Sequence, residues 1–127
     1  MVTEHPDTEF DFFLPPYSIL FWDKVIREGR TEAVFAAIRQ AGQTLLQYDN
    51  VKFYGYLMDP EIVTNLDNYC DYIHHSGGVC REILAMLQRE EGRLTEENLE
   101  ETLANWRTFV VNYDYDQLWT DAYWWAW

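Results

Sequence analysis

The chain has 127 residues, 22 Asp and Glu against nine Lys and Arg for a formal net charge of −13, and 48% apolar residues, with six Trp, nine Tyr and seven Phe. That length fits one domain able to bury about two thirds of its unfolded surface, and the apolar share excludes a chain disordered for want of hydrophobic groups. The charge excludes direct nucleic-acid binding and anionic membranes as partners, because binders of phosphate use Lys/Arg patches to release counterions.

The first 16 residues alternate acids and aromatics through Glu9-Phe10-Asp11-Phe12-Phe13 and end on Pro15-Pro16, which forbids helix there. They read as an extended arm, laid over the protein's own core or docked on another chain. From Tyr17 to Glu28 the residues Ile19, Leu20, Trp22, Val25 and Ile26 recur at helical intervals, with Gly29 as a stop. A second helix follows from an N-cap at Thr31, through Val34, Phe35, Ile38, Leu45 and Leu46, weakened by Gly42 and ended by Asp49-Asn50. Residues 51–58 (VKFYGYLM) stay ambiguous, since a lone strand there has only the arm to pair with.

Asp59-Pro60-Glu61 is a strong helix start, and Ile62, Val63, Leu66, Tyr69, Cys70 and Ile73 trace one apolar stripe up to Gly77-Gly78. A fourth helix, with Val79, Ile83, Leu84 and Leu87 inward, runs to Gly92 and lies antiparallel to the third. Thr95 caps a fifth, with Glu96 and Glu97 in its first turn and Leu99, Leu103, Trp106 and Val110 buried. A last helix covers 116–127, with Leu118, Trp119, Ala122 and Tyr123 inward. The expected fold is mainly α: an arm over 1–16, then one domain over 17–127 built as a bundle of about five to six short helices, with room for one short hairpin or strand near 51–58.

No secretory signal or membrane span is expected: the apolar runs are short, and Glu4 and Asp7 sit where a signal would be basic. Cys70 and Cys80, the two cysteines, then read as reduced, buried thiols of a cytoplasmic protein, host-cell cytoplasm if phage-encoded. Cys70, His74 and Cys80 lack a paired C-x-x-C and a fourth ligand, so no metal or other cofactor is expected. Asp71 with His74 or His75 near Ser76 is the best acid–base grouping, but carboxylate and imidazole suit a helix C-terminus equally well. Without a phosphate loop, a G-x-S-x-G or an H-E-x-x-H, no enzyme is expected.

The acids carry more information. Glu96 with Glu100 and Glu97 with Glu101 are like-charge pairs at i,i+4 that cost a helix a few tenths of a kcal/mol each, and Asp67 with Asp71 repeats the spacing as a secondary acidic face. Asp114, Asp116 and Asp121 continue the charge, so the last 34 residues hold seven acids and one base, against 15 and eight before them. Carboxylates one helical turn apart lie roughly 5 to 6 Å from each other, a spacing that a surface built for successive phosphates can engage. In size, charge and aromatic content the chain is similar to small acidic bacteriophage proteins that block restriction enzymes or CRISPR effectors by imitating DNA. No motif carries this likeness, and it transfers no residue roles.

Trp119, Tyr123, Trp124, Trp125 and Trp127 crowd the C-terminus, and one helix face cannot bury them all. Trp124 and Trp125 are therefore candidate anchors, for a partner or for a homodimer. The resulting expectation is a non-enzymatic inhibitor that masks a basic, nucleic-acid-handling protein, meeting its Arg and Lys through Glu96, Glu97, Glu100, Glu101, Asp114, Asp116 and Asp121. The alternatives are an accessory subunit that uses the aromatic tail as its contact, and an immunity protein against a basic toxin.

Overall fold

The computed structural model describes residues 1–120. Within them the chain is mostly helical around a small sheet: β1 (Phe10–Phe13), α1 (Ile19–Arg27), α2 (Thr31–Leu45), β2 (Val51–Tyr54), α3 (Pro60–Val63), α4 (Gly77–Gln88), β3 (Arg93–Leu94), α5 (Leu99–Asn112) and α6 (Asp116–Thr120). Single 3-10 turns at Tyr56–Met58 and Leu66–Asn68 flank α3.

The arm and the ambiguous segment resolve each other. β1 pairs parallel with β2, Phe10 opposite Val51 and Phe13 opposite Tyr54, while β3 adds on the far side antiparallel, Leu94 opposite Phe53. Parallel neighbours need a long crossover, which α1 and α2 supply. The arm thus lies on the protein's own sheet, and Phe12 packs against the main core. That core gathers α1, α2 and α5 around Trp22, whose ring lies 5.3 Å from that of Phe35 and 6.0 Å from that of Trp106. The stripe expected for α5, Leu99, Leu103, Trp106 and Val110, is buried throughout.

The third helix departs most from expectation. Only Pro60–Val63 is α-helical, started as anticipated by Asp59, whose carboxylate accepts from the Glu61 and Ile62 N–H groups. Beyond it, short polar side chains take over the backbone's bonds. Asn65 Oδ1 accepts from Asp67 N, Asn68 Nδ2 donates to Ile62 O, and Asp71 Oδ1 accepts from Ile73 N and His74 N. Each bond offers the chain an alternative to the helix ladder. Asp67 and Asp71 therefore share no helix face, which removes the secondary acidic face, and α4 has no long third helix to lie against.

α4 begins at the glycine pair itself, with Ser76 Oγ accepting from Val79 N, and it buries Met86 while leaving Leu84 exposed. Gly92, with φ of 73°, turns the chain into β3, a two-residue strand the sequence did not announce. α2 starts at Thr31 rather than being capped by it, with Arg30 in the cap position. α5 starts four residues after Thr95. Thr95 and Asn98 exchange bonds, Thr95 N donating to Asn98 Oδ1 (2.8 Å) and Asn98 N to Thr95 Oγ1 (3.2 Å), while Asn98 Nδ2 reaches Arg93 O (3.0 Å). These bonds hold 96–98 as a turn and tie it to β3. No helix among the described residues is long and apolar enough to cross a membrane.

Candidate functional site

The acidic residues divide by whether the chain's own cations claim them. Eight of the nine Lys and Arg side chains are ion-paired within the described residues, Arg81 being the exception. Lys52 bridges Glu9 and Glu90, and its ammonium, hydrogen-bonded to Glu90, holds that carboxyl below the usual range. Arg107 of α5 reaches Glu32 of α2, and Arg39 of α2 returns to Glu100 of α5 at 2.8 Å, so two cross-helix pairs tie α2 to α5. Glu100 is thereby matched within the chain, while its side chain stays exposed.

Glu96, Glu97 and Glu101 remain exposed, with no ion pair among the described residues. They do not form the two expected i,i+4 rows, because Glu96 and Glu97 sit on the turn held by Thr95 and Asn98 while Glu101 opens α5. What results is a cluster at a helix entrance, where the positive end of the α5 dipole favours carboxylates. Asp114 and Asp116 are exposed at the other end of α5, and Asp114 Oδ1 accepts from Gln117 N (3.3 Å) as α6 begins. Asp121, Trp124 and Trp125 lie outside the described residues.

The residues considered for acid–base work serve a turn. Asp71 Oδ2 meets His74 Nδ1 at 2.6 Å, and the N–H groups of His74 and Ile73, with the imidazole, draw the Asp71 carboxyl down to about 2. His75 Nδ1 instead lies 3.6 Å from Cys80 Sγ, so carboxylate, imidazole and Ser76 hydroxyl form no single relay. Cys70 and Cys80 are free and exposed rather than buried. Cys70 lost the helix that was to turn it inward, and Cys80 lies about 100° around α4 from inward-facing Val79. No group of three or more His, Cys, Asp or Glu among the described residues is arranged to hold a metal.

Sequence reasoning missed a groove on the opposite side of α5 from Arg39. Two hollows of about 330 and 300 Å³ share Met58, Pro60 and Thr102 as lining, one continuing past Tyr56 to Gly92 and Arg93, the other past Asn105 to Trp106 and Phe109. Among the described residues Trp22 Nε1, Tyr56 Oη and Trp106 Nε1 are buried without a hydrogen-bond partner. Burial pushes the Tyr56 hydroxyl up to about 12. The available signal was Phe109, which falls off the Leu99–Leu103–Val110 stripe and stacks on Trp106 at 4.8 Å, its ring half-buried at the groove wall.

No protein-family model matches the chain, and no solved structure does. Among curated proteins it is similar to a UPF0735 ACT domain-containing protein of Lacticaseibacillus casei and to another of Lacticaseibacillus paracasei, each 24% identical over 94 residues that make up 74% of this chain. The chain spans 65% of the length of those relatives, just under two thirds.

Proposed function

We propose that the protein is a non-enzymatic binding protein that docks its acidic α5 entrance on the basic surface of another protein and thereby masks it. The observation that carries this reading is the asymmetry of pairing. Among the described residues the chain's own acids occupy eight of nine cations, whereas Glu96, Glu97 and Glu101, close together in sequence, are exposed and without an ion pair. A field of this sign steers a cationic partner toward the surface and raises its association rate, with an effect that salt screens over about 10 Å at 0.1 M.

The partner class is a basic protein that handles nucleic acid, and an inhibitor of restriction or CRISPR effectors is the most concrete form. A cluster at a helix entrance supports a charge-complementary patch rather than an evenly spaced phosphate row, so the masking rests on occupancy of the partner's basic site. The relatives' name supplies a domain label, with no ligand or reaction to weigh against this.

The test immobilises the protein and challenges it with the nucleic-acid-binding fraction of a bacterial lysate at low and at high salt. A basic protein should be retained at low salt, released at high salt, and lost when Glu96, Glu97 and Glu101 are all changed to Lys. Retention unmoved by both treatments would overturn the proposal.

A further inference from the structure

We infer that the groove between α3 and α5 receives an extended, basic segment of the partner protein, one that places an apolar side chain against Met58 and Trp106 and its cations beside the flanking glutamates. The inference rests on the acidic-surface reading and adds a second, shape-specific point of contact to it.

Two observations converge on that occupant. The floor is apolar, with Met58 at the waist, Leu94 at one end and Trp106 at the other, and each of the joined hollows, about 330 and 300 Å³, takes one or two side chains rather than a helix.

Charge selects the sign of the segment. Glu61 lies on the α3 side and is exposed without an ion pair among the described residues, and Glu101 flanks the α5 side about 100° around the helix from Thr102. Arg93, the one cation among the described residues lining either hollow, is engaged by Glu90 at 3.3 Å. An acidic segment would meet two free carboxylates, while a segment carrying Arg or Lys beside its apolar residue would neutralise them.

The probes are three synthetic ten-residue peptides: alternating Arg and Leu, Arg alone, and alternating Glu and Leu. They are titrated into the full chain while the indole N–H signals are followed by NMR, that of Trp106 being assigned from Trp106→Phe. The Arg–Leu peptide should bind tightest and shift the Trp106 signal, and Asn105→Trp, which fills the groove from an exposed position, should weaken it about tenfold, the scale of a buried anchor. Thr102→Lys should do the same by charge, and circular dichroism confirms that either variant is folded. If the Arg–Leu and Arg peptides bind equally and neither groove variant matters, while reversal of Glu96, Glu97 and Glu101 abolishes binding, the groove inference falls and the acidic-surface reading stands. If the Glu–Leu peptide binds as well as the Arg–Leu peptide, or none binds, both fall.

Discussion

Leu99 of α5 closes over Gly42 of α2 so tightly that a Cβ built on Gly42 would lie 2.8 Å from Leu99 Cδ2 and 3.1 Å from Cδ1. The glycine that weakens α2 as an isolated helix is what lets α5 approach it, beside the Arg39–Glu100 pair. A methyl group must push aside the end of a buried leucine, offsetting the roughly 1 kcal/mol that alanine gains over glycine in a helix. Gly42→Ala should therefore leave the denaturation midpoint nearly unchanged. Gly42→Val, branched at the contact, should cost about 1–3 kcal/mol as overpacking. A stabilising Gly42→Val in urea titration would refute the packing.

The acidic cluster should respond unevenly to charge reversal. Glu101 stands in the first turn of α5, where a negative side chain favours the dipole, so Glu101→Lys should cost about 0.3–1 kcal/mol at low salt. Glu97 lies on the preceding turn and should change stability by less than about 0.5 kcal/mol on reversal to Lys, as exposed substitutions do. A continuous helix from Glu96 onward would instead make the two reversals equivalent, which thermal unfolding at low salt distinguishes.

These contrasts mark what the sequence could reveal. α1, α2 and α5 were legible because their apolar residues recur with the helical period and each buries that stripe in one core. The same period over Ile62–Ile73 misled, since it counts apolar positions and ignores Asn65, Asn68 and Asp71, whose side chains take the backbone bonds a helix would use. The arm is the one partner the sequence leaves for a strand at 51–58, but the parallel direction and the register of Phe10 against Val51 span a two-helix crossover and carry no local signal. At the site, exposure of Glu97 and Glu101 was readable. The pairing of Glu100 with Arg39, 61 residues away in the chain, belongs to tertiary structure alone.

Four tyrosines should resist titration until the protein unfolds. Burial raises Tyr56 from the usual 10.0 to about 12, and burial likewise raises Tyr54, Tyr69 and Tyr115. Tyr69 Oη donates to Pro16 O and Tyr115 Oη to Val110 O, bonds the phenolate cannot make. A raised folded-state value means the contribution is complete below the unfolded value of 10.0 and is lost as pH climbs through the folded one. Stability should therefore decline from about pH 10 upward, and absorbance at the phenolate band should rise in two steps, the second coinciding with loss of helix. A single smooth step with helix intact would contradict this burial.

The turn over 69–76 should loosen on the acid side. Asp71, ordinarily titrating at 3.8 and held here at about 2, accepts from two backbone N–H groups and an imidazole. Its depressed value places the stabilising contribution above pH 3.8, with loss as pH falls toward 2. Exchange of the Ile73 and His74 amide hydrogens should accelerate over that window relative to amides in α5, and Asp71→Asn should show the faster exchange already at neutral pH. Equal protection in variant and parent would show that the carboxylate does not hold the turn.

One amide group secures the N-terminal turn. The two hydrogens of Asn50 Nδ2 are shared among three carbonyls, Val2 O (3.2 Å), His5 O (3.1 Å) and Thr8 O (3.0 Å), while Asn50 O receives the N–H of Phe10 (2.9 Å), so the residue before β2 gathers the chain entering β1. Asn50→Ala removes the donor and should cost about 1–2 kcal/mol, the net worth of such bonds. Asn50→Asp keeps the shape but turns a carboxylate toward three carbonyl oxygens and should cost more, although the two side chains are nearly the same size. Limited proteolysis provides the readout: both variants should be cut within residues 1–9 before the parent, the Asp variant first, with the rest of the chain resistant. Cleavage at the parent's rate would mean that β1 pairing alone, through Phe10 to Phe13, fastens the arm.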